Sequence, residues 1–121
     1  MVFPENVRGS LFLDSITSSE GLILPKSVGG TLSLDGLKTA EGLILPETVG
    51  GQLTMRRLIS ANKITFPKNI GSIYVSSIDL SSLTSAEGLV LPETFKGNID
   101  LSSLTSAKGL VLPATMEDVY L

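Results

Sequence analysis

The sequence predicts an all-β fold, a right-handed parallel β-solenoid of about five stacked coils with a period of about 21 residues, and three observations support it. Six prolines recur at one phase of a repeating unit, and the interval is constant except for a longer one before the fifth proline; they are Pro4, Pro25, Pro46, Pro67, Pro92 and Pro113. Leu-x-Leu segments, which have the period of a β-strand, recur in every unit. No unit leaves a helical pattern free of Gly and Pro. Units that bury their apolar side only by stacking on the next unit are typical of solenoids, and parallel crossovers favour right-handed coils.

The repeats form one predicted domain over residues 1–121, since a chain of this length can bury one core. Its repeats start near residues 9, 30, 51, 71 and 97, with half repeats at both ends. Each repeat contains two predicted strands. The first set is Leu11/Leu13, Leu32/Leu34, Leu53/Met55 and Ile99/Leu101, and the second set is Leu22/Leu24, Leu43/Leu45, Ile64/Phe66, Leu89/Leu91 and Leu110/Leu112.

The corners of the coil are predicted from Gly, Pro and short polar residues. The pairs Gly29-Gly30 and Gly50-Gly51 are expected to adopt positive φ there. The second residue after each proline carries an oxygen that can bond to nearby backbone, and we expect this column to form turns; it comprises Asn6, Ser27, Thr48, Asn69, Thr94 and Thr115.

One irregularity interrupts the repeat between Ile73 and Ala86. The interval from Ile78 to Ala86 is eight residues where other units have three, so five extra residues are expected to bulge near 76–82. Either Ile73-Tyr74-Val75 or Ile78-Asp79-Leu80 is the in-register strand, with the other forming a corner insertion, and the end segment Val119-Tyr120-Leu121 is matched to the former. The bulge is interpreted as a tolerated surface loop, with a binding role as the alternative.

Charged residues also follow the repeat. The residue after each proline alternates in sign from coil to coil, which favours a single stacking register, and the column is Glu5, Lys26, Glu47, Lys68, Glu93 and Ala114. Asp14 and Asp35 share another phase, which Arg56 continues. We expect an ion pair between coils from this column, and a catalytic or calcium site only as a minor alternative.

The strongest candidate for a binding surface is the residue between the two apolar positions of the second strand. This column, the apolar ladder, is Ile23, Ile44, Thr65, Val90 and Val111. Alternation directs these side chains outward, where contiguous apolar surface commonly marks a partner site. The alternative is that β-branched residues merely suit an exposed strand. The outward column of the first strand is mixed and is expected to be solvated, with Phe12 and Tyr74 as isolated anchors; its other members are Ser33, Thr54 and Asp100.

The ends of the solenoid form a second candidate surface. Solenoids normally need polar caps, and open strand edges pair with other chains. Phe3 at one end, and Val119, Tyr120 and Leu121 at the other, are therefore predicted to take part in end-to-end stacking.

Composition excludes several classes of function. The chain has no His and no Cys, so it lacks the usual groups for a triad, a soft metal site or a base near neutrality. A net charge of −3 argues against a nucleic-acid surface. No apolar run is long enough for a membrane span, and the low aromatic content suggests no large cofactor pocket. We therefore expect no enzyme activity and no cofactor.

The Leu-x-Leu repeats resemble the leucine-rich-repeat superfamily, and Gly-Thr-Leu-Ser-Leu-Asp-Gly-Leu at 30–37 is similar to strands of receptor L-type domains. The Leu-Pro-Glu-Thr string also resembles repeats of bacterial host-directed effectors. The resemblance implies recognition of a protein or ligand without catalysis, with an irregular leucine-rich-repeat horseshoe as the alternative fold.

Together these features predict a non-catalytic scaffold for protein interaction or self-assembly, whose partner is another protein or a second copy in a homo-oligomer. The alternative is a carbohydrate-binding or other surface-binding solenoid, including an ice-binding one. That alternative would be favoured if Phe12 and Tyr74 were exposed and coplanar.

Overall fold

The structure is a computed structural model that describes residues 2–61, 64, 77–91, 97–112 and 119–121. These residues form β-strands, turns and extended segments, and none of them is helical. All strand pairs are parallel, and they build a β-solenoid of about four turns. The predicted all-β solenoid is therefore confirmed. In the described part of the chain, no helix offers the length and apolar character that a membrane crossing requires.

Within these ranges, nine short strands form two parallel sheets. The strands are β1 (Asn6–Val7), β2 (Leu11–Phe12), β3 (Ser27–Val28), β4 (Leu32–Ser33), β5 (Thr48–Val49), β6 (Gln52–Thr54), β7 (Ser77–Asp79), β8 (Asn98–Asp100) and β9 (Val119–Tyr120). The short sheet has the order β1-β3-β5, and the long sheet has the order β2-β4-β6-β7-β8-β9. Each strand pairs with its equivalent in the next coil, as a solenoid requires.

The long sheet confirms the first predicted strand set and decides the register at the irregular repeat. Ile78 pairs with Leu53 on one side and with Ile99 on the other, so Ile78-Asp79-Leu80 is the in-register strand. Val119 pairs with Ile99 and therefore belongs to the phase of Ile78, not of Ile73. Residues 73–75 lie outside the described residues.

The predicted five-residue bulge is not found at 77–82, where the described residues continue the regular repeat. Leu83 is the true equivalent of Leu58 and lies three residues before Ala86, as in the other units. The intervals from Leu58 to Leu83 and from Ile64 to Leu89 both exceed the regular repeat by four residues. The four additional residues therefore lie between Ile64 and β7. The prediction failed because it aligned Ile78 with the column of Leu37 and Leu58. Ile78 lies in a strand, whereas that column follows the turn after the strand.

The second predicted strand set forms no strand among the described residues, apart from a single bridge residue at Ile44. Leu43 and Leu45 alternate with an exposed Ile44 as expected, but the strands of the short sheet follow the proline, at the column that was assigned to turns. Proline has no N–H to donate to a ladder, so pairing starts after it. Lys26 N donates to Glu5 O at 2.8 Å, and Glu47 N donates to Lys26 O at 2.8 Å.

Two turns per coil direct the chain around the core. Leu37 N donates to Leu34 O at 3.2 Å, and Leu43 N donates to Ala40 O at 3.0 Å. Gly42 in the second turn has φ of 79°, and its equivalents Gly21, Gly88 and Gly109 are similar. The expected positive φ at Gly29-Gly30 and Gly50-Gly51 is not found. Those glycines are needed for space instead, because a Cβ on Gly50 would overlap the Gly29 carbonyl oxygen of the preceding coil.

The core is a set of aligned apolar columns. In the coil that begins at Gly30, the inward side chains are almost completely buried, namely Leu32, Leu34, Leu37, Ala40, Leu43, Leu45 and Val49. These residues recur at the same phase in neighbouring coils, so each column buries itself by stacking on its own copies. The remaining positions are directed outward and provide the candidate surfaces.

Candidate functional site

The apolar ladder is exposed wherever the structure describes it. Ile23, Ile44, Val90 and Val111 are 67% to 76% exposed, and Thr65 lies outside the described residues. The two leucines that flank Ile44 point inward and anchor the backbone, so its side chain faces solvent. The structure thus brings these side chains to one phase of the coil, while their role in partner binding stays a prediction.

Sequence analysis missed one residue of this column. Val2 occupies the phase of Ile23 one repeat earlier, and it is almost fully exposed. The repeat spacing could have identified it, but the half repeat at this end was considered only for stacking. Five of the large exposed apolar side chains in the described part of the chain therefore share one phase: Val2, Ile23, Ile44, Val90 and Val111.

A shallow groove borders the ladder. It has a volume of about 490 Å³, and its apolar wall includes Leu22, Ile23, Ile44 and Pro46. Lys26 and Glu47 contribute charged side chains to its lining. A smaller groove of about 270 Å³ adjoins it, where Val2 and Phe3 contribute. This face therefore combines exposed apolar side chains with a charged border, as protein interfaces do.

The charged border alternates in sign as predicted along the part of the column that the structure describes, which is Glu5, Lys26 and Glu47. Lys26 Nζ lies 3.3 Å from Glu5 Oε1 in the preceding coil, with both side chains largely exposed. This ion pair is consistent with the predicted contacts between coils. Lys68, Glu93 and Ala114, which continue the column, lie outside the described residues.

The predicted end-stacking residues lie at the two ends of the described solenoid. Phe3 and Val119 are half-buried against the core, whereas Tyr120 and Leu121 are exposed. The strands β2 and β9 are the two edges of the long sheet. Leu32 is fully buried, while Leu11 in the same column is only half-buried. The end layers thus contain the outer strands of the long sheet and partly exposed apolar side chains, and their stacking role stays a prediction.

The outward side of the long sheet is not solvated along its whole length, contrary to expectation. Ser33 and Thr54 are only 5% and 4% exposed. Thr54 Oγ1 donates to Ser33 Oγ at 3.1 Å, and Ser33 Oγ donates to the Asp14 carboxylate. These hydroxyls are buried because each has a polar partner in a neighbouring coil, which offsets the cost of losing water. This column therefore ties three coils together.

Asp14, Asp35 and Arg56 form the predicted column. The carboxylates of this column accept hydrogen bonds from backbone amides of the next coil. Asp35 N donates to Asp14 Oδ1 at 3.0 Å, and Arg56 N donates to Asp35 Oδ1 at 2.9 Å. The predicted ion pair is confirmed, because Arg56 Nη1 lies 3.6 Å from Asp35 Oδ2. The two carboxylates are thus engaged as hydrogen-bond acceptors between coils.

Sequence analysis missed a further partner of Arg56. Arg56 Nε donates to Asp79 Oδ2 at 2.9 Å, so the guanidinium lies between two carboxylates. The correct choice of Ile78 as the in-register residue would have revealed this, because it brings Asp79 next to Thr54.

The pKa values on this face follow from these contacts. The Ser33 hydroxyl, together with the Asp35 amide, holds the pKa of Asp14 below its ordinary value. Burial raises the pKa of Asp79, but its hydrogen bonds with Ser81 and Arg56 outweigh that effect and leave the pKa lowered. The hydrogen bond to Asp79 raises the pKa of Arg56. All three shifts favour the charged forms, as structural ion pairs do.

Of the two predicted aromatic anchors, the structure describes only Phe12. Phe12 is exposed, and Tyr74 lies outside the described residues. Tyr120 shares the column of Phe12 but belongs to the opposite edge strand of the six-stranded sheet. Within the described ranges, no group of three or more carboxylates is close enough to hold a metal ion.

Comparison of the chain with protein-family models, with curated protein sequences and with solved structures finds no match in any of the three. Its function is therefore inferred from the geometry of the chain itself.

Proposed function

We propose that this chain is a non-catalytic scaffold of the leucine-rich-repeat-like kind, which binds another protein through the apolar ladder. One observation carries the proposal: Ile23, Ile44, Val90 and Val111 share one phase of the coil and are each at least two-thirds exposed. No cofactor or reaction is part of this proposal.

The distribution of exposed apolar side chains supports a binding role. Among the described residues, the large exposed apolar side chains outside the ladder phase are Ile59 and residues near the two ends of the described solenoid. The column of Ile59 is otherwise polar, with Lys38 and Thr84 as its neighbours along the axis. Strand propensity alone would be satisfied by Thr, which is also β-branched, whereas Ile and Val add apolar surface. Aligned apolar surface is typical of partner sites.

The test compares three variants in a quantitative capture experiment. Ile44→Lys introduces a charge on the ladder, Ile44→Thr keeps the β-branch but removes apolar surface, and Ile59→Lys is the control on another exposed column. We expect proteins retained by the wild type and by Ile59→Lys to be lost with Ile44→Lys and weakened with Ile44→Thr. Equal retention by all four proteins would refute the role of the ladder.

We also propose that the 121-residue polypeptide associates end to end by pairing of its outer strands β2 and β9, where Leu11 and Tyr120 are incompletely buried. In register, Val119 of one copy would pair with Leu11 of the next, as Ile99 pairs with Val119 within the chain. Removal of residues 119–121 should then lower the association constant measured by light scattering. An unchanged constant would exclude stacking through this edge.

A further inference from the structure

We infer that the groove at Ile23 and Ile44 binds a second copy of this chain in antiparallel orientation, about a two-fold axis that passes between these two coils. The inference rests on the proposed function of the ladder and specifies its occupant. It is carried by the self-complementary arrangement of apolar and charged residues around the groove.

The complementarity arises from two adjacent coils. Ile23 and Ile44 occupy one phase, and Lys26 and Glu47 occupy the phase three residues later, in the lining of the same groove. The two charged residues have opposite signs and neighbouring positions along the solenoid. A patch with this pattern matches itself after a half-turn, which is the requirement of an isologous interface.

The rotation fixes which residues meet. The two-fold axis lies in the plane of the interface and is perpendicular to the long axis of the solenoid. The coils of the second copy therefore run in the opposite order, while each column of one copy still faces the same column of the other. Ile23 then packs against the second copy of Ile44, and Lys26 faces the second copy of Glu47. Both contacts occur twice in the dimer.

Charge selects this arrangement over its alternatives. A two-fold axis parallel to the solenoid would instead reverse the order of the columns across the interface, so Lys26 and Glu47 would no longer face each other. A shift of the axis by half a coil spacing, onto the coil of Ile44, would bring Glu47 against Glu47. Like charges placed opposite each other disfavour an interface, so the alternation favours an axis between two coils over an axis on a coil, and the groove at Ile23 and Ile44 places that axis between these two coils.

The charged groups are accessible for this contact. Lys26 is paired with Glu5 at 3.3 Å, but both side chains remain largely exposed. Glu47 has no ion-pair partner among the described residues. The half-buried Leu22 and Leu24 provide the apolar wall against which a second copy of Ile44 can pack.

The interface is small, and this determines the expected affinity. It is centred on two coils, and Val90 and Val111 lie beyond it toward the other end of the solenoid. Interfaces below the standard size are weak and transient. We therefore expect dimers only at high protein concentration, with Val90 and Val111 left available to another protein.

Charge reversal tests the inference by sedimentation velocity over a hundredfold range of concentration. Lys26→Glu alone and Glu47→Lys alone place like charges across the axis, so each should weaken dimerisation by about tenfold or more. The double variant restores opposite charges and should dimerise like the wild type. Lys38→Glu, an equal charge change on another exposed column, should leave the mass distribution unchanged.

Mixing the two single variants separates this effect from changes within one chain. A Lys26→Glu chain carries two acidic groups at the groove and a Glu47→Lys chain carries two basic groups, so the mixture should form a heterodimer although each variant alone is monomeric. An effect on folding alone cannot produce this result, and circular dichroism of each variant checks that the fold is kept.

A wild-type chain that stays monomeric throughout, or a mixture that forms no heterodimer, would overturn the second-copy inference. Neither result affects the proposed function of the ladder. That function is tested separately by Val111→Lys, which lies outside the dimer interface and should reduce capture of another protein without changing the dimer.

Discussion

Arg56 Nε donates a hydrogen bond to Asp79 Oδ2 at 2.9 Å, although 23 residues separate the two in the sequence. The other side of the same guanidinium lies 3.6 Å from Asp35. Arg56 thus joins the coils before and after its own, at the point where the repeat lengthens. The contact shows that β6 and β7 keep their register despite the additional residues between them.

We predict that Arg56→Gln lowers the free energy of unfolding by about 0.5 to 1 kcal/mol, because it removes two partly exposed ion pairs. Urea unfolding measures the change, which should shrink in high salt because salt screens exposed charges. Arg57→Gln is the matched control, since Arg57 is exposed and has no ion pair among the described residues. An equal loss in both variants would show that the Asp35 and Asp79 contacts contribute nothing specific.

A second prediction concerns pH. The pKa of Asp14 is lowered in the folded chain, so its contribution to stability is fully present above the ordinary carboxyl pKa near 4 and is lost as the pH falls below that value through the lowered pKa of the folded chain. Asp14→Asn keeps an oxygen acceptor for the Asp35 amide but does not titrate. Its urea midpoint should therefore fall less between pH 7 and pH 3 than that of the wild type.

Ser33→Ala tests the cause of this pH dependence. The variant removes the hydroxyl that lowers the pKa of Asp14 most, so its pH dependence should move toward that of Asp14→Asn. If Ser33→Ala and the wild type lose the same stability on acidification, the hydroxyl does not hold the carboxylate in its charged form.

A third prediction compares two positions in one core column. Leu37 is completely buried, whereas Ile16, its equivalent in the preceding coil, is only half-buried. Leu37→Ala should cost about 3 kcal/mol, since it leaves a cavity between two covering coils. Ile16→Ala should cost clearly less, because water already reaches this side chain. Equal costs by urea unfolding would mean that the end coil is covered as well as the inner coils.

A fourth prediction distinguishes two reasons why glycine is required in this fold, namely positive φ at Gly42 and lack of space at Gly50. Gly42 has φ of 79° with open space around it, so Gly42→Ala should cost about 1 to 2 kcal/mol from backbone strain alone. Gly50→Ala should cost more, because its Cβ would overlap the Gly29 carbonyl oxygen and force adjacent coils apart. Gly42→Asn should be milder than Gly42→Ala, since Asn tolerates positive φ. Thermal unfolding of the three variants ranks the costs, and the reverse order would exclude this assignment of roles.

Several features were predictable because they depend on spacing alone. The period of the prolines identified stacked coils, and the first Leu-x-Leu set identified the long sheet. The outward direction of Ile23 and Ile44 followed from alternation with leucine. A strand places successive side chains on opposite faces, so this information is local and can be read from the chain.

Other features required the contacts between coils. The strands of the short sheet lie after the prolines and not at the Leu-x-Leu segments, because proline has no N–H group to donate to a neighbouring strand. Ser33 and Thr54 look like solvent-facing residues in the sequence, yet hydrogen bonds between neighbouring coils allow both to be buried. The strand register at the irregular repeat could not be chosen from the sequence alone, because the segments 73–75 and 78–80 both match the strand pattern.

The sequence by itself determined that this chain is a linear stack of β-coils with an apolar core and an outward apolar column. Only the tertiary structure decided several of the contacts between neighbouring coils, such as Arg56 with Asp79 and Ser33 with Asp14. The reason is physical. Periodicity sets the direction of each side chain within its own coil, whereas a hydrogen bond or ion pair depends on the register between coils, and register is established only when the coils stack.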